Sequence, residues 1–262
     1  MNGEQEGSSH AKTPTMREAG RSASRRLRPE NELSAPDGRA PRVFIAVPTR
    51  DMTAAAISGR LALLLVDLAR RPDAPAIEIV PGYPVDRVRN QICKRFLESD
   101  ADCLLMIDDD VVPPASVLDM AQHDKDVVAG LCYAYLPRLG YYSVAYPSGN
   151  SDLKAPRLGI GAHIEHQGLI EVELAGSACL LIQRRVLEAL EPPYFTMLLD
   201  DDSLFIKDSE DFTFCRKARA AGFCIWLDTD QPCSHYRALD MHASVHWAQE
   251  YAARQKLAEL DL

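Results

Sequence analysis

Apolar residues come in short blocks along most of this chain, and the spacing inside each block indicates the element it forms. Val43 to Val47 is a continuous apolar run stopped by Pro48, the pattern of a strand buried on both faces. Ile57, Leu61, Leu64, Leu65 and Leu68 recur at helical spacing and predict a helix over Thr53 to Arg71. A second strand is expected at Ile77 to Val80, a second helix at Asp86 to Leu97, and a third buried strand at Cys103 to Ile107. Pro114 to Gln122 reads as a short helix opened by its proline, leading to a strand at Asp126 to Gly130. Strands alternating with helices imply parallel strands joined by right-handed crossovers.

The second half changes character. Tyr141 to Tyr146, Gly161 to His166 and Leu169 to Leu174 read as shorter strands, with Gln167-Gly168 as a tight turn, and Ala178 to Ile182 as another buried strand. A helix over Glu210 to Ala221 is expected to be capped by Ser209 and ended by Gly222. Phe223 to Leu227 is the last strand expected, and an amphipathic helix covers about Ala243 to Leu260. Residues 1–40 show no apolar periodicity and are rich in Ser, Gly, Pro, Arg and Glu, so they read as a disordered tail, with Arg21 to Arg28 a solvated basic piece. Residues 41–262 then form a single α/β domain, Rossmann-like in front and mixed behind.

Composition narrows the class. A formal charge of −9 at pH 7 argues against a protein that coats nucleic acid through a generally basic surface. The cysteines number seven and include no CxxC pair, so neither a zinc ribbon nor a disulfide framework is indicated. Cys103, Cys179 and Cys224 sit in apolar surroundings and read as buried thiols of a reducing cytoplasm. The first residues are polar, unlike a signal peptide, and no apolar stretch approaches the ~20 residues that cross a bilayer. A soluble, cytoplasmic protein is expected.

The candidate chemistry begins where the Cys103 strand breaks into acid, at Asp108-Asp109-Asp110. Carboxylates at the C-terminal edge of an open sheet stand where such sheets bind ligands. Asp108 and Asp110, two apart in extended chain, face the same side and can share a divalent cation. An acidic turn that merely caps the strand fits the same residues. No GxGxxG or GxxxxGK[ST] pattern is present, so a phosphate site here would rely on metal. Pro48-Thr49-Arg50-Asp51 can hold a base or ribose, although Asp51 fits a helix cap equally well. Arg87 and Arg89, beside Asn90, suit a diphosphate, the acidic cluster, or a solvated helix face. Glu210 and Asp211 are either ordinary partners of a helix dipole or a general base on a rigid element. His235, placed after the last strand, can complete a metal site. His163 and His166 fall on opposite faces of their expected strand, which argues against a shared metal, and Asp200-Asp201-Asp202 reads as a loop over the site's mouth.

Taken in order, these pieces resemble the nucleotide-diphospho-sugar transferases of the GT-A fold, close to family 2 glycosyltransferases. The matching residues run from the strand ending at Pro48, through Arg89-Asn90 and Asp108-Asp109-Asp110 in the place of the DxD motif. They continue with Gly176-Ser177-Ala178-Cys179, Glu210-Asp211 and a late histidine, spanning about Arg42 to Tyr236. The resemblance implies a mixed, mainly parallel central sheet flanked by helices, with a small antiparallel subsheet on the acceptor side. It divides the domain into a donor half at 41–130, an acceptor half at 131–240 and a C-terminal helix at 241–262. It implies Mn²⁺ or Mg²⁺ held by Asp110, with Asp108 and His235 as further ligands, on a UDP- or GDP-sugar. Pro48, Thr49, Arg50 and Asp51 would line the base pocket, with Arg89, Asn90, Asp108 and Asp109 along the donor. Asp211 would deprotonate the acceptor hydroxyl, Glu210 would contact the acceptor, and Gly176 and Ser177 would floor the site.

The chain lacks the membrane helices and QxxRW-type motif of processive relatives, which favours transfer of a single sugar. The acceptor stays open among a glycan, a lipid-linked sugar, a protein and a modified nucleobase, so nucleic acid enters only as an acceptor. Two other readings stand beside this one. A nucleotidyltransferase would want a Gly-rich basic loop after the first strand, and Pro48-Thr49-Arg50-Asp51 fits that poorly. A catalytically silent sugar-nucleotide or glycan-binding module would not need Asp108, Asp110 and Asp211 intact.

Overall fold

The protein is described by a computed structural model covering residues 39–50, 58–136, 140–147, 165–200, 202, 205–236, 245–246, 248–250 and 252–253. In chain order the elements are β1 (Val43–Thr49), α1 (Gly59–Ala69), β2 (Ala76–Pro81), α2 (Val85–Glu98), β3 (Cys103–Ile107), β4 (Val111–Val112), β5 (Val127–Leu136), β6 (Gly140–Ser143), β7 (Ala145–Pro147), β8 (Leu169–Ala175), β9 (Cys179–Gln183), α3 (Arg184–Ala189), β10 (Leu198–Leu199), β11 (Ile206–Asp208), α4 (Glu210–Ala220) and β12 (Ile225–His235). A 3-10 turn spans Val117–His123.

The central sheet has the order β2-β1-β3-β9-β5-β12-β8-β7, with β4 paired to β12 and β6 to β5. Only β9 and β8 run against the other strands on this path. The sheet is therefore mixed and mainly parallel, and β10 and β11 form a separate antiparallel ribbon. Alternation along β1 feeds two cores. Val43, Ile45 and Val47 pack with Leu61, Leu64, Leu65 and Leu68 of α1 on one face. Phe44 and Ala46 pack with Val88, Ile92 and Phe96 of α2 on the other, where Phe212, Cys215 and Ala218 of α4 also lie.

Several boundaries differ from expectation, each for a local reason. β1 runs on through Pro48 to Thr49, because its pairing with β3 ends at Ala46 and beyond that only β2 is bonded. A residue without an N–H is tolerated there. The first helix starts at Gly59, since Ser58 has extended backbone and its hydroxyl accepts the Leu61 amide. The expected start at Thr53 lies outside the described residues. β5 continues past Gly130 to Leu136 by pairing with β6, and β12 continues past Leu227 to His235 by pairing with β5 and β4. Helix α3 and the β10–β11 ribbon were not expected. Of the expected strand at Gly161 to His166, residues 161–164 lie outside the described residues, and Glu165-His166 is a turn. Of the C-terminal helix, 245–246, 248–250 and 252–253 are helical and the rest is outside. Residues 1–38 of the expected tail are outside too, while Arg39 forks onto Asp102 at 2.6 and 3.0 Å. Cys103 and Cys179 are buried as expected, whereas Cys224 is half-buried, and none of the seven cysteines is in a disulfide. Among the described residues no helix is long and apolar enough to cross a membrane.

One side chain locks the helical layer. Arg184, the first residue of α3, lies over the Phe96 ring at 4.6 Å. It donates to the carbonyls of Ala101 (2.7 Å), Ser99 (2.9 Å), Phe96 (3.2 Å) and Leu97 (3.4 Å). The last carbonyls of α2 have no partner within their own helix, and a cation there also meets the negative end of its dipole. Arg184→Ala should therefore lower unfolding free energy by about 2 kcal/mol in urea titration, and Arg184→Lys should recover only part, since an ammonium lacks the planar fork.

Candidate active site

The acidic turn is held by its backbone from three directions. Asp108 N–H donates to Ala178 O (2.9 Å), Ser58 N–H to Asp109 O (3.1 Å) and Tyr236 N–H to Asp110 O (2.8 Å). Val111 N–H closes the turn onto Asp108 O at 3.0 Å. The β8–β9 connection, the start of α1 and the end of β12 thus each fix one aspartate. Pairing of His235 with Val111 and Ser234 with Val112 brings the end of β12 alongside.

The carboxylates then separate into two half-sites. Asp110 Oδ2 lies 3.5 Å from His235 Nε2. The other ring nitrogen, Nδ1, is 2.8 Å from the Tyr133 carbonyl, which can only accept, so Nδ1 carries a proton. That leaves Nε2 facing Asp110, as an acceptor when the ring is neutral and as a second donor when it is protonated. Nitrogen and carboxylate acceptors facing at this distance, with the ring oriented by a carbonyl, are a donor set that suits Mn²⁺ or Mg²⁺. Among the described residues no group of three His, Cys, Asp or Glu side chains could hold a metal ion, so a cation here would need further ligand oxygens.

Asp108 faces Arg89 instead. Arg89 Nη2 donates to Asp108 Oδ1 at 3.0 Å, and Arg89 Nε to Glu210 Oε1 at 3.4 Å. The guanidinium is only 4% exposed. Burial opposes its charge, but Asp108, Glu210 and Asp211 more than offset that and raise its pKa. Its Nη1 is buried without a hydrogen-bond partner, as is the Ser177 hydroxyl. Such orphaned donors are uncommon in a settled interior and are the expected state of a site that binds a polar ligand.

Glu210 and Asp211 open α4, where the helix dipole favours negative charge. Ser209 is the N-cap, yet its hydroxyl bonds the Asp211 carboxylate and caps no amide. Burial, followed by repulsion from Glu210, pushes the Asp211 carboxyl up to about 6, against the pull of Ser209, Arg89 and the Phe212 amide. Gly176 lies against this group: an added Cβ would stand 3.6 Å from Asp211 Oδ2 and 2.7 Å from Val144 Cγ1.

The remaining expected residues are less convergent. Pro48 and Thr49 are buried at the end of β1, and Arg50 stacks on Tyr83 at 5.1 Å. Asp51, His163 and Asp201 lie outside the described residues. Both amide hydrogens of Asn90 go to the Asp86 and Phe195 carbonyls, while its oxygen accepts from the Tyr194 and Phe195 amides. Asn90 therefore clamps the segment after α3 in this structure. His166 sits by Asp230 at 3.7 Å. Asp200 belongs to the β10–β11 ribbon, its amide bonded to Phe205 O. His235 is the last residue of β12 rather than beyond it. Sequence reasoning missed the Arg89–Glu210 contact and the Tyr133 carbonyl; a pairing across 121 positions and a backbone acceptor leave no local signal.

No family model matches the chain, and no curated protein matches it significantly. Among solved structures it is similar to A197 from STIV, at 23% identity and a TM-score of 0.50, over 75% of this chain and 86% of that one. A weaker likeness is to GalNAc-T7 crystallised with UDP, GalNAc and Mn²⁺, at 9% identity and a TM-score of 0.43, over 77% of this chain and 45% of that one. The likeness to A197 is one of fold. The mixed sheet flanked by helices, with its small antiparallel ribbon, is consistent with the GT-A arrangement.

The raised Asp211 carboxyl has a consequence for stability. Between about pH 4, where an unfolded aspartate ionises, and about 6, where Asp211 does, the native chain holds the extra proton. This contribution to stability is complete below about pH 4 and is lost as pH rises through about 6. Asp211→Asn should therefore be more stable than the wild type at neutral pH, with the difference shrinking toward acid. Denaturant titrations across this range check the sign.

Proposed function

We propose that the chain is a metal-dependent glycosyltransferase, moving one sugar from a nucleoside-diphosphate sugar, UDP- or GDP-linked, to a hydroxyl acceptor. The observation that carries this reading is the single buried guanidinium of Arg89. It joins the acidic turn after β3 to the first turn of α4, so that donor-side and acceptor-side carboxylates form one site. The donor half is assigned to 41–130 and the acceptor half to 131–240, and residues of both meet at Arg89.

In this reading Asp110 and His235 hold Mn²⁺ or Mg²⁺, with Asp108 beside them. A cation held there would supply electrostatic stabilisation to a leaving diphosphate. Arg89 offers the unpaired Nη1 to the donor while its other nitrogens keep Asp108 and Glu210 in place. Ser177 contributes a second unpaired group to the floor, and Gly176 lets the chain pass close against Val144 beside Asp211. Asp211 takes the proton of the acceptor hydroxyl onto its carboxylate. A carboxyl raised to about 6 suits that task, being ionised at neutral pH yet more basic than an ordinary aspartate. Glu210 helps to keep it so by repulsion.

The decisive experiment is calorimetric titration of UDP, GDP, CDP and dTDP, with and without Mn²⁺, into the wild type and Asp110→Ala. One nucleotide should bind only when both metal and Asp110 are present; binding of none would sink the reading. With the matching donor, turnover should rise with pH to a plateau above about 6. Asp211→Asn should keep nucleotide affinity and lose about 10²–10⁴-fold in kcat. Full turnover in that variant would remove the base assignment.

A further inference from the structure

Ser209 stands at the N-cap of α4 but does not act as a cap. Its backbone is extended (φ −79°, ψ 161°), as the position requires, yet its side chain accepts no helix amide. An N-cap hydroxyl ordinarily takes the amide of the second or third helical residue. The third is Phe212, and its N–H goes instead to Asp211 Oδ1 at 2.8 Å. The Ser209 hydroxyl donates to the same oxygen. Serine and aspartate have exchanged roles, the serine giving a hydrogen bond where it would ordinarily receive one. Such departures from the local rules of a helix start gather at functional sites.

The exchange makes the two oxygens of Asp211 unequal. Two donors converge on Oδ1. Oδ2 accepts no hydrogen bond among the described residues, and it is not sealed from solvent as Arg89 Nη1 and the Ser177 hydroxyl are. It lies toward Gly176, where an added Cβ would stand 3.6 Å away. The charged and titratable groups facing the carboxyl are Arg89 of α2, with Glu210 and Cys215 of α4. Arg89 spends its hydrogen bonds on Asp108 and Glu210, and the Cys215 thiol donates to Ala175 O at 3.5 Å. Among the described residues Ser209 is therefore the only side chain hydrogen-bonded to the Asp211 carboxyl.

We propose that Ser209 is a positioning residue for Asp211, occupying Oδ1 together with the Phe212 amide so that Oδ2 is the oxygen turned to the acceptor. As the acceptor oxygen bonds to the sugar carbon, that carbon's bond to the diphosphate breaks and its electron pair leaves with the diphosphate. The acceptor proton passes to Oδ2. Ser209 serves this step in two ways. It holds the carboxylate in one orientation, sparing the reaction that search. By donating to the ionised form it also opposes the burial and Glu210 repulsion that push Asp211 up to about 6. Without the hydroxyl, Asp211 would keep its proton to higher pH and fewer molecules would hold a competent base at neutrality. This role rests on the glycosyltransferase reading and deepens it, giving the base a partner and the proton a particular oxygen.

The test follows the Asp211 carboxyl by NMR in the full chain labelled with carboxyl-¹³C aspartate, its signal identified by its loss in Asp211→Asn. The wild type should titrate at about 6, Ser209→Ala at higher pH, and Ser209→Thr, which keeps the hydroxyl, close to the wild type. The Ser209 side chain caps no amide, so Ser209→Ala should fold with a melting temperature near that of the wild type. Turnover is then measured with Mn²⁺ and the donor matching the nucleotide found by calorimetry. Ser209→Ala should keep its KM for the donor and lose about tenfold or more in kcat at neutral pH. Part of that loss should return as the pH is raised, because the plateau of turnover moves upward with the carboxyl. A midpoint that stays in place or moves down in Ser209→Ala would overturn the proposal. So would a loss of kcat that is uniform across pH, or one that threonine does not restore, since either marks a serine with a structural role alone. The NMR titration needs no ligand. Absence of nucleotide binding would strike the glycosyltransferase reading, while the titration still decides what Ser209 does to Asp211.

Discussion

Arg89 sits inside the protein with Asp108 on one side, Glu210 on the other and Asp211 within electrostatic reach. Removing such a charge from water is costly, and partners on both sides are needed to offset it. Those partners come from the turn after β3 and the first turn of α4. One cation cannot neutralise all of the carboxylates that converge here. Burial, with repulsion from Glu210, raises the proton affinity of Asp211, while Asp110 lies beside the Nε2 of His235.

The stiffness of the site comes from backbone rather than side chains. Each aspartate of the acidic turn has its own backbone bond to a different element, so the main chain of the turn cannot shift without breaking one. The imidazole of His235 is similarly set by the Tyr133 carbonyl. Like charges placed this close repel each other, and a protein keeps them there only where the surrounding structure holds the arrangement. That is the pattern of a preorganised electrostatic site. The β10–β11 ribbon contrasts with it, being fixed at its stems and exposed at Leu198, Leu199, Phe205 and Ile206.

Much of the fold was legible from apolar periodicity. β3 begins and ends where its apolar run does, at Cys103 and Ile107, because a strand buried on both faces must be apolar throughout. Helix α4 starts at Glu210 and stops before Gly222, whose φ of 92° suits glycine. The misread boundaries have a common cause. β12 runs past its expected end through polar residues, because pairing with β5 and β4 satisfies its backbone groups, and β5 runs on from Leu131 to Leu136 where it pairs with β6. Hydrogen-bonding partners supplied by distant strands have no periodicity to read.

The same division runs through the site. The sequence by itself determined which ionisable residues stand at element ends: three consecutive aspartates at a strand's end, an arginine on the preceding helix, an acidic pair opening a later helix, and a histidine near the last strand. Residue type and local spacing are enough for that, since both are properties of short segments. Only the tertiary structure decided who faces whom. It put Arg89 between Asp108 and Glu210, turned His235 to Asp110, and used up Asn90 on the Tyr194–Phe195 backbone. Those choices depend on burial and on contacts across a hundred residues or more, which arise only once both cores have packed and water has left the space between their elements.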